Sequence, residues 1–155
     1  MKDSFGEVDL GGHGFDVLFE AEWIWLDAAS PTAPAVGPEW VDVVDEAALG
    51  EWAAASGQAG TFPPAILADP AVRFLTARAD GEVVGRAALC LGAGVVGVSN
   101  VWCGGSGVWE TLGAAVSRLF PGHPVAGYES GSALVAPLAG GLTAVGPLRV
   151  WVRSG

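Results

Sequence analysis

The chain is poor in most of the residues that would announce a function. Of its 155 residues, two are cysteine, two histidine, one tyrosine and one methionine, and Lys2 is the only lysine. Cys90, Cys103, His13 and His123 have no metal-ligand spacing, so no metal site is expected. Two thiols in a chain of this size read as reduced cysteines rather than a disulfide framework. Seven Lys and Arg against 17 Asp and Glu leave a net charge of −10. A chain this acidic, with no basic stripe, repels a phosphate backbone, and nucleic acid is not an expected partner. No run of about 18 apolar residues occurs, so no membrane span is expected. The opening "MKDSFGEVDL" is acidic and lacks the apolar stretch of a signal peptide, and the expected location is cytoplasmic.

What is present is apolar. With 51% hydrophobic and 15% charged residues the chain cannot stay disordered, and residues 1–155 are expected to form one domain with a proper core. The charge is uneven. Residues 1–51 hold 12 of the 17 acids with Lys2 as the sole base, whereas the rest holds five acids and six arginines. Trp23, Trp25 and Trp40 lie in this acidic front. Indoles among carboxylates can hold an organic cation, which makes Trp23 and Trp25 candidates for binding a cationic amine. The competing reading is a solvated acidic face with tryptophans packed in the core. An apolar, glycine-rich C-terminal part beside that acidic front predicts a homodimer sharing apolar surface.

The pattern of elements is α/β. Residues 1–14 read as a loop or frayed arm, and "FDVLFEAEWIWLDAA" alternates like a strand. A proline-rich loop and the strand "WVDVV" follow. Asp45 is placed to cap a helix through "EAALGEWAAAS", with Leu49, Trp52 and Ala53 on one face. "PPAILADP" reads as a short helix. "VRFLTARADGEVVGRAALCL" is two strand-like runs around Asp80-Gly81, the residue pair of a tight hairpin. "VVGVSNVWC" is the next strand, with Asn100 as its lone amide, open to a cleft role or a hydrogen bond within the sheet. "GVWETLGAAVSRLF" fits a helix that buries Val108, Leu112, Ala115, Val116 and Leu119. The strand "PVAGYES", a short helix "SALVAPLAGG" and a last strand or strand pair close the chain.

This order resembles the GCN5-related N-acetyltransferase (GNAT) fold over residues 40–153. "ADGEVVGRAAL" is similar to the family's central hairpin, "VGVSNVWC" to its fourth strand, and "ESGSALVAPLAGGLTAVGPLRVWV" to its closing segment. The ending also resembles small actinobacterial proteins of that superfamily. The resemblance implies a mixed, largely antiparallel central sheet flanked by helices. It implies an acyl donor, acetyl-CoA or another acyl-CoA, along Val101, Trp102 and Cys103, with its pyrophosphate on the loop and helix start that contain Ser106, Gly107, Val108 and Trp109. Ser130 stands where the family often has an asparagine opening its late helix. The loop departs from the family's Gln/Arg-x-x-Gly-x-Gly/Ala pattern: Ser106 takes the basic position, and Trp109 and Thr111 the small ones. Glu110 adds a negative charge, and no Lys or Arg occurs between Arg86 and Arg118. Trp109 therefore reads as an obstacle at the place where backbone should approach phosphate.

The family's common tyrosine acid falls on Pro137, leaving Tyr128 as a substitute acid and Glu129 as a general base for an amine. Glu129 as a cap of the following helix is the plainer alternative. Two functional readings follow. One is an acyl-CoA-dependent N-acyltransferase with a divergent loop. The other is a GNAT-fold protein that has lost acetyl-CoA binding, acting as a binding or accessory module or catalysing other chemistry in the same cleft.

Overall fold

Two tight turns organise the middle of the chain. Asp80 and Gly81 have φ of 51° and 85°, the paired positive values of a type I′ turn, and they join β4 (Val72–Ala79) to β5 (Glu82–Gly92) with Ala79 opposite Glu82. Ala93 and Gly94, at 51° and 78°, repeat the geometry between β5 and β6 (Val95–Cys103). The first turn is legible as Asp-Gly. The second carries an alanine that its positive φ disfavours. These coordinates are a computed structural model, which describes residues 1–28, 36–55, 57, 59–104 and 107–155.

Around this meander runs one eight-stranded sheet in the order β1-β8-β2-β7-β6-β5-β4-β3. Its other strands are β1 (Lys2–Ser4), β2 (Phe15–Leu26), β3 (Glu39–Asp42), β7 (Val125–Glu129) and β8 (Thr143–Arg153). Every pairing is antiparallel except β6 with β7. The expected mixed, largely antiparallel sheet is therefore present. The N-terminal residues are not the expected arm. β1 pairs with β8, and β2 is inserted between β7 and β8, where Ile24 is 1% exposed. The 3-residue length of β1 is too short for its alternation to be read in the sequence.

Helices cover both faces. α2 (Val108–Leu119) buries Val108, Leu112, Ala115 and Val116 against Ile24, Val96, Val98 and Val125, as its 3.6-residue spacing requires. The short α3 (Val135–Ala139) ends against α2: a Cβ on Gly140 would lie 2.9 Å from Trp109 Cβ. α1 (Glu46–Ala55) lies on the opposite face, where Leu49, Trp52 and Ala53 pack on Phe74 and Ala88. Asp45 Oδ1 accepts from Ala48 N–H at 2.8 Å, the expected cap. Trp52, Phe62 and Phe74 meet edge to face with centroids 4.9–5.8 Å apart, and the Trp52 indole N–H donates to Leu75 O.

Candidate functional site

The site begins with the one parallel pair. β6 and β7 are in register only at Val96–Val125 and Gly97–Ala126, and then they part. Two residues set the fork. At Gly127 a Cβ would come within 3.3 Å of Val98 O, a tight contact that glycine avoids at the point where the strands diverge. At Asn100, φ is 53° and the register jumps from Ala88–Ser99 to Arg86–Trp102, so Asn100 and Val101 together face Ala87. This is a β-bulge, which bends β6 away and re-aims its side chains.

The fork opens a cavity of about 220 Å³ lined by Val98, Ser99, Asn100, Val101, Trp109, Tyr128 and Glu129. Five of the residues singled out in the sequence thus meet in one place: Asn100, Val101, Trp109, Tyr128 and Glu129. Glu129 is half-buried, and desolvation raises its pKa above the ordinary carboxylate value. Tyr128 borders the cavity, but its ring stacks on Phe19 at 6.1 Å, meets Trp23 edge-on at 5.7 Å and lies under Lys2 Nζ at 4.3 Å. The Asn100 amide donates to Ser99 Oγ at 3.3 Å.

The remaining candidates are placed elsewhere. Trp23 and Trp25 line a separate, apolar hollow of about 240 Å³ with Phe5, Ala126 and Val145, and the Trp25 indole donates to Asp27. Trp102 is 42% exposed and lies 5.6 Å from the Arg86 guanidinium. Val108 is 1% exposed; its Cγ1 would be 3.0 Å from a Cβ on Gly85, so it packs in the core. Ser130 is exposed and its side chain caps nothing. Ser106 falls outside the described residues. Cys103 is exposed as a residue, yet its thiol is pushed up to about 11 by desolvation, with the Glu129 and Glu110 carboxylates adding to the shift. Cys90, which its strand position would bury, is exposed.

The start of α2 differs from the sequence expectation in an instructive way. Trp109 is not an indole standing over the helix N-terminus. It is 4% exposed and turned into the core. What covers the N-terminus is the segment 36–38. A Cβ at Gly37 would lie 2.8 Å from Thr111 Cγ2 and 3.1 Å from Gly107 O, and one at Gly107 would lie 3.3 Å from Val36 O. A hydrogen-bond chain pins this arrangement. The buried Trp40 indole N–H donates to Thr111 Oγ1 at 2.9 Å, and the Thr111 hydroxyl donates to Gly107 O at 2.7 Å. A diphosphate needs several converging N–H groups and a cation. Here the first turn is covered, carries Glu110, and has no Lys or Arg from residue 87 to 117. These residues do not fit a nucleotide diphosphate. Gly37, Gly127 and the Trp40–Thr111 bond escaped the sequence reading because each acts through a contact distant in sequence. Among the described residues no group of His, Cys, Asp and Glu could hold a metal ion.

No family model matches the sequence, and no curated protein matches it. Solved structures do. A Staphylococcus epidermidis protein described as functionally unknown matches with a TM-score of 0.70 at 13% identity, over 99% of this chain and 72% of that one. A GCN5-related N-acetyltransferase from Kribbella flavida matches with 0.66 at 16% identity, over 94% of this chain and 62% of its own. A Novosphingobium aromaticivorans protein described as a putative acetyltransferase of the GNAT family matches with 0.60 at 18% identity, over 92% and 69%. The chain therefore spans between 62% and 72% of the length of these proteins. With a mixed sheet, a fork between its two parallel strands and helices on both faces, the chain has the GCN5-related N-acetyltransferase fold.

Proposed function

We propose that the β6–β7 cleft is the site of an N-acyltransferase that takes its donor by the acyl-thioester end. The observation that carries this reading is Glu129, a half-buried carboxylate of raised pKa at the fork where the two parallel strands part. A carboxylate made more basic is a better proton acceptor near neutral pH. Glu129 would take the proton of an amine as its nitrogen attacks the thioester carbonyl carbon. The carbon–sulfur bond then breaks, the amide remains, and the same proton passes to the departing sulfur. Transfer goes straight to the amine, because a Cys103 thiol at about 11 is almost wholly protonated at neutral pH and a poor relay. Both proton steps are assigned to Glu129, the carboxylate that lines the cleft.

Acetyl-CoA is the donor the fold suggests, but its diphosphate finds no cradle on α2. That observation supports a second reading, in which the cleft binds a small molecule without acyl transfer. Thermal unfolding with S-acetylpantetheine, an acetyl-thioester arm without diphosphate or nucleotide, separates the two. A ligand at about 100 times its Kd adds about 2.7 kcal/mol of stability. No shift at millimolar concentration rejects the acyltransferase reading.

A further inference from the structure

A cavity roomier than the cleft lies elsewhere. A hollow of about 380 Å³ lies on the α1 face, between α1 and strands β3, β4 and β5. Its volume is that of a small-molecule site. Its walls combine apolar surface from Val41, Val43 and Trp52 with four charged side chains, Asp42, Glu51, Arg78 and Arg86.

Arg86 is the unusual member. Its guanidinium lies near two indoles, 6.0 Å from the Trp52 ring and 5.6 Å from that of Trp102. Its Nε is buried and has no hydrogen-bond partner among the described residues. A buried N–H ordinarily finds a carboxylate or a carbonyl, because an unmet donor keeps its whole desolvation cost. The other arginine of the hollow, Arg78, is exposed and donates to Gly81 O at 3.1 Å. Asp42 and Glu51 face the same hollow, yet the ion pair present among the described residues joins Arg149 and Glu20 instead. Two cations and two anions thus line one hollow, and no ion pair joins them among the described residues. The two indoles favour a planar cation at this place, and its N–H groups are the donors an incoming oxyanion would need.

We propose that this hollow binds a free amino acid, its carboxylate on Arg86, its ammonium on Asp42 or Glu51, and its side chain against Trp52 and the valines. The net charge of −10 disfavours a ligand that brings only negative charge, whereas a zwitterion satisfies both signs and adds none. The inference is independent of acyl transfer, since the hollow and the β6–β7 cleft share no lining residue.

The test is calorimetry on the full chain with each of the twenty L-amino acids, followed for the tightest by its decarboxylated amine and its deaminated acid. At least one amino acid should bind with Kd below about 1 mM, and each half-molecule about tenfold or more weakly. Arg86→Met should weaken the amino acid about tenfold or more and leave the amine unchanged. Glu51→Gln combined with Asp42→Asn, both at exposed residues, should weaken the amino acid and the amine but not the acid. Circular dichroism confirms that each variant is folded, and the acidic pair keeps the test open if Arg86→Met is not. No amino acid binding below about 1 mM overturns the proposal, as does binding that survives Arg86→Met, or binding by the acid alone that equals that of the amino acid.

Discussion

The contact between Trp40 and Thr111 holds the segment over α2 in place, and Thr111→Val tests it. Valine keeps the shape and removes the hydroxyl. The Trp40 indole, 5% exposed, is then left with an N–H that has neither Thr111 Oγ1 nor ready access to water. An orphaned buried donor costs about 1–3 kcal/mol, and the methyl that replaces the hydroxyl offsets part of it. At 155 residues a net loss of about 2 kcal/mol lowers Tm by about 4–8 °C. Trp40→Phe also destabilises, through the lost donor and the volume left empty. Because the two residues share one hydrogen bond, the double variant should lose less than the sum of the singles, with a coupling of about 1 kcal/mol or more. Urea unfolding of all four proteins, with m unchanged, reads the cycle. A coupling under about 0.3 kcal/mol would mean that the pin does not exist and that the covering of α2 needs another cause.

The sign of the Glu129 shift gives a pH prediction. Its folded pKa is raised, so the folded chain holds the proton more tightly than the unfolded chain. That stability is complete below the unfolded value and is lost as pH rises through the folded one. Glu129→Gln should therefore be more stable than wild type at pH 7, equal to it near pH 3, and inactive in acyl transfer; equal melting at both pH values would contradict the burial. With a thiol at about 11, Cys103 should be about one part in a thousand thiolate at pH 8, so Cys90→Ser protein should react slowly with a disulfide reagent and faster up to that value. A rate that levels off near pH 8 would refute the shift. Asp45→Ala removes the cap on Ala48 N–H and should cost about 1 kcal/mol in urea unfolding; no loss would show that water replaces the cap. The homodimer expected from the apolar C-terminal part should appear in light scattering as twice the 15.6 kDa chain mass, and a mass of one chain across the concentration series rejects it.

What the sequence made legible was local. Asp-Gly marks the β4–β5 turn, Asp45 its helix, and the spacing of Val108, Leu112, Ala115 and Val116 the face of α2, because each signal acts within one or two turns of chain. Asn100 could be named as the lone amide of its strand, whereas Val101, Tyr128 and Glu129 could be named through the resemblance to the GNAT fold, which puts them at the open end of the sheet. The insertion of β2 between β7 and β8 was not legible, since its partners lie 99 or more residues away and nothing local specifies them. Trp109 shows the same limit. Its position in the loop pattern read as an obstacle to phosphate, but helical geometry turns it into the core beneath Gly140. Replacing it by glycine would then empty core volume at a cost of about 3–5 kcal/mol, not the roughly 1 kcal/mol of a surface helix position.

The central claim is that the cleft grips the thioester end of its donor and that α2 offers nothing to a diphosphate. Calorimetric titration with acetyl-CoA and with S-acetylpantetheine tests it most directly. With the α2 N-terminus covered by residues 36–38 and no base from residue 87 to 117, the two donors should bind with Kd values within about threefold of each other. Acetyl-CoA bound about 30-fold or more tightly, equivalent to about 2 kcal/mol from its diphosphate and nucleotide, would contradict the account.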